Sequence, residues 1–276
     1  MIIDDHNQSF FYLCNTMTHI HFSKYEGTGN DFIMIDNING AYSFLSEIHV
    51  KKLCDRKLGI GADGLILINS DDSSDFYMDF FNSDGSKSFC GNGSRCAVQF
   101  TLSLGIHKGE TKFTAIDGVH KGSVSGDNVS IEMNDVSTIT AHMDDYVLDT
   151  GSPHYVLYND DLSSENTIRK GKEIRFSPSF LQNGINVNLL QVLAPDQIKI
   201  ATYERGVEDE TQSCGTGATA CALVHDFVSN STFNKIQVNV KGGVLSVSFK
   251  RESKGNYSQI VLSGPAKFIF SGTIDS

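Results

Sequence analysis

This sequence predicts an α+β fold of two pseudo-symmetric lobes with a cleft between them. Three observations carry that expectation. The tetrapeptide Cys-Gly-x-Gly occurs twice, as Cys90-Gly91-Asn92-Gly93 and Cys214-Gly215-Thr216-Gly217, about half a chain apart. Each copy opens an apolar stretch of helical spacing, and the segments around both copies read as short strands. A chain of 276 residues is long enough to bury two modest cores. A helix whose neighbours are all strands is expected to be wrapped by sheet, here mostly antiparallel or mixed.

The elements follow in order. Strands are expected at His19–Tyr25 and Asp31–Asp36, joined by Glu26-Gly27-Thr28-Gly29-Asn30, a turn rich in glycine and asparagine. Ser43–Arg56 reads as a helix capped by Ser43, with Phe44, Leu45 and Ile48 at helical spacing. Leu65–Asn69 and Phe76–Phe81 are strands, and Asn82-Ser83-Asp84-Gly85 turns into the first cysteine loop. In the helix after Cys90, Ala97, Phe100, Thr101 and Leu104 share one face, and Gly105 supplies a stop. Short strands are expected at Lys112–Ile116, Gly122–Val124, Val129–Met133, Tyr146–Leu148, Tyr155–Tyr158, Val187–Leu193 and Gln197–Tyr203. The helix after Cys214 repeats the pattern of the first with Ala220, Leu223, Val224 and Phe227. Lys235–Val240, Val244–Phe249, Ile260–Leu262 and Lys267–Phe270 complete the strands.

Composition narrows the partners. A hydrophobic content of 39% and a charged content of 20% are those of an ordinary globular protein. The net charge of -11, with no long basic run, argues against a nucleic-acid partner. Asp4 and Asp5 stand where a signal peptide carries positive charge, and Phe10-Phe11-Tyr12-Leu13-Cys14 is too short for a membrane span. A cytoplasmic protein with no membrane partner is expected, with reduced thiols. The six cysteines, Cys14, Cys54, Cys90, Cys96, Cys214 and Cys221, form no C-x-x-C pair, so neither a zinc site nor any other metal site is expected.

The chemistry is concentrated at Cys90 and Cys214. A thiol just before a helix start meets the positive end of the macrodipole and several free N–H groups. Those features favour thiolate and can hold an anion such as a carboxylate. Cys96 and Cys221, inside the helices, are expected to be small buried hydrophobes. Gly59-Ile60-Gly61-Ala62-Asp63-Gly64 matches G-x-G-x-x-G, but it follows a helix and enters a strand, the reverse of a dinucleotide loop. Asn30, Asn82 and Asn186 are, taken singly, common turn formers. His154 after Gly151-Ser152-Pro153 is evenly a structural or a site residue, and Glu204-Arg205 alone reads as a solvated ion pair.

Taken together, these segments resemble the diaminopimelate epimerase family. The ordered set is Gly27-Thr28-Gly29-Asn30-Asp31-Phe32, Gly59 to Gly64, Phe81-Asn82-Ser83-Asp84-Gly85, Cys90 to Cys96, Gly151-Ser152-Pro153-His154, Tyr203-Glu204-Arg205-Gly206 and Cys214 to Ala218, from about residue 20 to the C-terminus. The resemblance implies a cofactor-free isomerase that interconverts LL- and meso-diaminopimelate in lysine and peptidoglycan precursor biosynthesis. It makes Cys90 and Cys214 an acid/base pair. Gly91, Asn92, Gly215 and Thr216 would donate to the substrate carboxylate, and Asn30, Asn82, Asn186 and Arg205 would read its distal end. Glu204, also on the substrate, and His154 would tune the thiols. Ser152 stands where many relatives have asparagine. A related racemase of proline, hydroxyproline or another amino acid is the neighbouring reading. The resemblance further implies a homodimer. It divides the chain into an extension over 1–18, lobes over 19–118 and 119–262, and a segment over 263–276 returning to the first lobe.

Overall fold

The computed structural model describes residues 19–229 and 232–275, so the expected N-terminal extension over 1–18 lies outside the described residues. The chain begins with β1 (His19–Gly27), β2 (Asn30–Asn37), α1 (Glu47–Cys54), β3 (Gly64–Asn69) and β4 (Phe76–Asn82). It continues through α2 (Gly91–Ser103), β5 (Glu110–Ala115), β6 (Gly118–Ser125) and β7 (Asn128–Glu132). Then come β8 (Thr140–His142), β9 (Asp145–Asp149), β10 (Pro153–Tyr158), α3 (Ser164–Arg175), β11 (Asn186–Ala194), β12 (Gln197–Glu204) and β13 (Asp209–Thr211). The last elements are α4 (Gly215–Ser229), β14 (Lys235–Val240), β15 (Gly243–Ser253), β16 (Asn256–Pro265) and β17 (Lys267–Asp275).

Strand pairing makes the duplication explicit. In the first half β1 lies antiparallel to β2, β2 parallel to β3, β3 antiparallel to β4 and β4 parallel to β5. The antiparallel run β5-β6-β7 completes it. The second half repeats the order: β9 antiparallel to β10, β10 parallel to β11, β11 antiparallel to β12 and β12 parallel to β14. The antiparallel run β14-β15-β16 completes that copy. A parallel pair needs a crossover, and α2 and α4 occupy corresponding crossovers, as do α1 and α3. The copies are stitched where β7 pairs with β16, with Ile131 opposite Leu262. At the other end β17 runs antiparallel along β1.

Each half wraps its central helix. α2 packs against β1, β2, β3, β6 and β7, and α4 against β9 to β12, β14 and β15. Cys96 and Cys221 are fully buried in these helices, as expected of small hydrophobes. In α4 nearly every residue from Gly215 to Asp226 is buried, the mark of a core helix rather than an amphipathic surface one. The α1 and α3 helices cover the outer faces, where Val50 and Leu53 pack on Ile33 and Leu65, and Ile168 and Ile174 pack on Val187 and Tyr203.

Each expected strand overlaps an observed one, and β1, β5, β6, β10, β15, β16 and β17 extend two to five residues further at one end or both. The helices were less legible. α1 begins at Glu47 after Ser46, not at Ser43, and the apolar stripe is misassigned: Phe44 and Ile48 are exposed while Leu45, Val50, Leu53 and Cys54 are buried. α3, β8 and β13 were not expected.

Candidate active site

The two central helices begin alike. Cys90 sits in extended backbone at φ -136° and ψ 111°, and its Sγ accepts from the Gly93 N–H at 3.4 Å. The Cys214 Sγ accepts from the Gly217 N–H at 3.4 Å. The carbonyls of Cys90 and Cys214 take the first intrahelical bonds, from Ser94 and Ala218, both at 2.8 Å. The N–H groups of Gly91, Asn92, Gly215 and Thr216 thus lie in first turns without an intrahelical carbonyl acceptor. The helix starts approach closely enough that a Cβ on Gly215 would stand 3.6 Å from the Gly91 Cα and 2.8 Å from a Leu262 methyl. At Gly91, by contrast, a Cβ would find only ordinary van der Waals neighbours, the nearest the Leu262 methyl at 3.4 Å, so the close approach constrains the start of α4 more than that of α2.

A cleft of about 740 Å³ opens at this convergence. Cys90 and Cys214 line it with Gly91, Asn92, Gly215 and Thr216. Asn30, Asn82, Asn186, Glu204 and Arg205 line the remainder, so nine expected partners share the cleft with the two thiols, and His154 alone stands behind its wall. The amides are held by local bonds. Asn92 Nδ2 donates to Asn30 Oδ1 at 2.6 Å and to the Ser213 carbonyl at 3.2 Å, while Asn92 Oδ1 is buried with no partner. Asn82 Nδ2 donates to Ser86 and Ser88. Asn186 Nδ2 donates to Ser152 Oγ at 2.9 Å, and its Oδ1 accepts from the Arg205 N–H at 2.9 Å.

His154 is fully buried and hydrogen-bonded to Thr216. Asn188 is oriented by the Thr202 hydroxyl on its Oδ1 and the Tyr155 carbonyl on its Nδ2, so Nδ2 donates to His154 Nδ1 at 3.0 Å. That leaves His154 Nε2–H to donate to Thr216 Oγ1 at 2.9 Å, and the Thr216 hydroxyl to donate to Cys214 Sγ at 3.4 Å. Burial holds the imidazole down at about 3, so it is a neutral relay and not a cation at neutral pH.

The electrostatics correct one expectation. The helix ends were expected to favour thiolate, yet burial pushes Cys90 up to about 11 and Cys214 up to about 12. The backbone N–H groups pull the other way and are outweighed, and Glu204 raises both thiols further. Burial likewise raises the Glu204 carboxyl, with Asp63 adding to the effect. Both sulfurs are therefore thiols at neutral pH.

Two participants were missed in the sequence. Asp63 lines the cleft and accepts from Asn30 Nδ2 at 3.0 Å. Asn188 was visible through alternation, since Asn186 and Asn188 lie two apart on β11 and so share a face.

The family model described as diaminopimelate epimerase matches residues 22–140 and 146–269. Among curated relatives, the diaminopimelate epimerase of Flavobacterium psychrophilum is 48% identical, covering 91% of this chain and 98% of that protein. The diaminopimelate epimerase of Aquifex aeolicus is 40% identical, covering 92% and 98%. Among solved structures, a phenazine biosynthesis protein of the PhzF family from Bacillus anthracis superposes with a TM-score of 0.68 at 14% identity, covering 94% of this chain and 99% of that one. A hydroxyproline epimerase from Agrobacterium vitis gives 0.67 at 12% identity, covering 93% and 91%. These structural likenesses speak to the fold alone.

Proposed function

The chain belongs to the diaminopimelate epimerase family, and from that premise we propose that it interconverts LL- and meso-diaminopimelate by proton transfer between Cys90 and Cys214 at the substrate α-carbon. It is an isomerase serving lysine and peptidoglycan precursor biosynthesis. The observation that carries the reading is the pair of converging helix starts, each opened by a cysteine, on one cleft.

The substrate α-carboxylate lies between the helix ends and accepts from the backbone N–H groups of Gly91, Asn92, Gly215 and Thr216. One cysteine, as thiolate, removes the α-proton from one face, and the other, as thiol, delivers its proton to the opposite face. The pair finishes with the charge exchanged, so the reverse reaction begins from the opposite sulfur. The carbanion is stabilised by the same helix ends, which concentrate positive potential in a site shielded from water. No cofactor enters the scheme.

Formation of the thiolate has to overcome burial, and the substrate assists. Its α-ammonium brings positive charge beside Glu204, the carboxyl that opposes both thiolates, and pairing the two removes that opposition. The unpartnered Asn92 Oδ1 is a further acceptor for this ammonium. Thr216, held by His154, stabilises a Cys214 thiolate by hydrogen bond. Asn30, Asn82, Asn186 and Arg205 read the distal amino-acid end. Ser152, by holding the Asn186 amide, substitutes for a longer side chain at that end.

The division into lobes over 19–118 and 119–262, with a segment over 263–276 returning to the first lobe, is part of this proposal with one change. The pairing of β17 with β1 supports the return. The strands β6 and β7, which complete the first copy of the strand order, favour moving the lobe boundary from 118 to the segment after Glu132. The β6–β7 hairpin, packed on α2 and joined to β16, is the seam between the lobes. Exposed Phe268, Ile269 and Phe270 on β17 support a homodimer formed through that strand. Among the described residues no helix is long and apolar enough to cross a membrane; a cytoplasmic site of action is part of the proposal.

A substrate panel tests the reading. Reduced protein incubated without pyridoxal phosphate or metal is expected to epimerise LL-diaminopimelate, read by chiral chromatography, and to leave L-proline and trans-4-hydroxy-L-proline unchanged. Preference for either monofunctional amino acid would move the assignment to the related racemases.

A further inference from the structure

Arg95 stands one turn and a half after Cys90 and is fully buried. Its donors reach Thr28 Oγ1 at 2.8 Å and the carbonyls of Gly91 and Pro265, each at 3.5 Å. Among the described residues it forms no ion pair with a carboxylate. Three costs coincide here. A guanidinium is removed from water, it lacks an anionic partner, and it lies near the positive end of α2, where the macrodipole opposes a cation. A negative charge formed nearby would offset these costs.

We propose that Arg95 is a built-in counter-charge for the Cys90 thiolate, a positioning residue that makes Cys90 the more readily ionised of the two cysteines. The inference rests on the two-thiol reading above. The second helix has no equivalent: the residue five after Cys214 is Thr219, and the hydrogen bonds to the Cys214 sulfur come from neutral groups, the Gly217 N–H and the Thr216 hydroxyl. In a poorly polarisable interior an unpaired charge acts over a longer distance than an exposed one.

The charges around Cys90 come from every side. Glu204 of β12 opposes its ionisation, Arg95 of α2 favours it, and Cys214 faces it from the start of α4. Asp63, Asp84, Lys87, Arg205 and Glu210 line the cleft beyond. Arg95 in turn is faced by Glu26 of β1 and by Cys96 on its own helix, neither of which pairs with it. Thr28 is the direct contact, and it passes a bond onward to Ser213 Oγ at 3.0 Å, beside Cys214. It holds φ 54°, a conformation in which asparagine and aspartate are more at ease than threonine.

The test is iodoacetamide alkylation of the full, ligand-free chain across a pH series, with Cys90 and Cys214 peptides quantified by mass spectrometry. Arg95→Met is expected to slow Cys90 alkylation about tenfold at a fixed pH below the midpoint, equivalent to moving that midpoint one pH unit upward. Arg95→Lys, which keeps the charge, is expected to remain near wild type, and Cys214 to change less than Cys90. If Arg95→Met does not fold, Thr28→Asp decides the matter, because it sets a carboxylate against the guanidinium. Thr28→Asn is its neutral control. Thr28→Asp should then alkylate about tenfold more slowly than Thr28→Asn. Equal rates for that pair, an unchanged Cys90 profile in folded Arg95→Met, or Arg95→Lys as slow as Arg95→Met would overturn the proposal. Alkylation requires no substrate, so absence of diaminopimelate turnover would defeat the two-thiol reading separately.

Discussion

The starts of α2 and α4 share one construction and differ in what stands behind it. Both place a cysteine before a glycine, accept a backbone N–H on sulfur at 3.4 Å, and leave two first-turn amides facing the cleft. Behind Cys90 is a buried cation, Arg95; behind Cys214 is a neutral chain running through Thr216, His154 and Asn188. Burial raises both thiols, Cys90 to about 11 and Cys214 to about 12, and Arg95 works against that rise at Cys90. Duplication supplies two cysteine positions of matching geometry, the acid/base pair of the proposed mechanism, and divergence behind them supplies the proposed bias in ionisation.

The severest way to break the comparison is to remove one sulfur at a time. Cys90→Ala and Cys214→Ala should each lower kcat by about a thousandfold or more while circular dichroism and Tm remain near native, because inversion needs a proton group on both faces. Substantial turnover in either variant would show that the halves are not both required.

Changing pH sharpens the contrast. Both thiols are raised in the folded protein above the ordinary value of 9.0, so the protonated form is the one folding favours. That stability is present in full below about pH 9 and is lost as pH rises through about 11 and 12. Tm of the ligand-free protein should therefore fall on the alkaline side, and less steeply in Cys90→Ala and Cys214→Ala. Over the same approach kcat/KM should climb by up to about tenfold per pH unit as thiolate forms, until the substrate ammonium begins to deprotonate.

Thr216→Val addresses the neutral relay. It keeps the backbone donor and the branched shape while removing the hydroxyl between His154 and Cys214. We expect kcat to fall about tenfold, the order of one hydrogen bond to sulfur, with KM little altered. An unchanged kcat would mean that the relay only packs.

The smallest effect should come from outside the paired starts. Ser163 caps α3, its hydroxyl accepting from the Asn166 N–H at 3.4 Å. Ser163→Ala should cost about 1 kcal/mol of stability in urea unfolding and leave kcat/KM unchanged.

The parts legible in the sequence were those with a strong period or a rare motif. The strands and both central helices could be read because apolar residues recur at strand or helix spacing, and the cysteine signatures marked their starts. The α3 helix had no such signal: its buried residues are Asn166, Thr167 and Gly171, small or polar groups packed under β12. Gly171 is required there because a Cβ would stand 2.2 Å from the Tyr203 ring. Nothing in local spacing announces that contact, although the duplicated strand order, once seen, calls for a helix opposite α1. At the site, the residues of the cleft wall were found through family resemblance, since a single asparagine in a loop carries no chemistry of its own. The ionisation of the thiols was misjudged because helix-end potential can be read from sequence whereas burial cannot. Arg95 was visible only as part of a motif, and its lack of an ion pair among the described residues emerges from packing.

The most direct test of the two-thiol claim is the partition of deuterium at early conversion. LL-diaminopimelate would be incubated in D2O with reduced protein, and substrate and product separated and analysed by mass spectrometry. With Cys90 and Cys214 on opposite faces, meso product should carry deuterium at the inverted carbon while recovered LL substrate retains its proton. Deuterium appearing equally in recovered substrate, or product retaining the original proton, would indicate a single base and contradict the account.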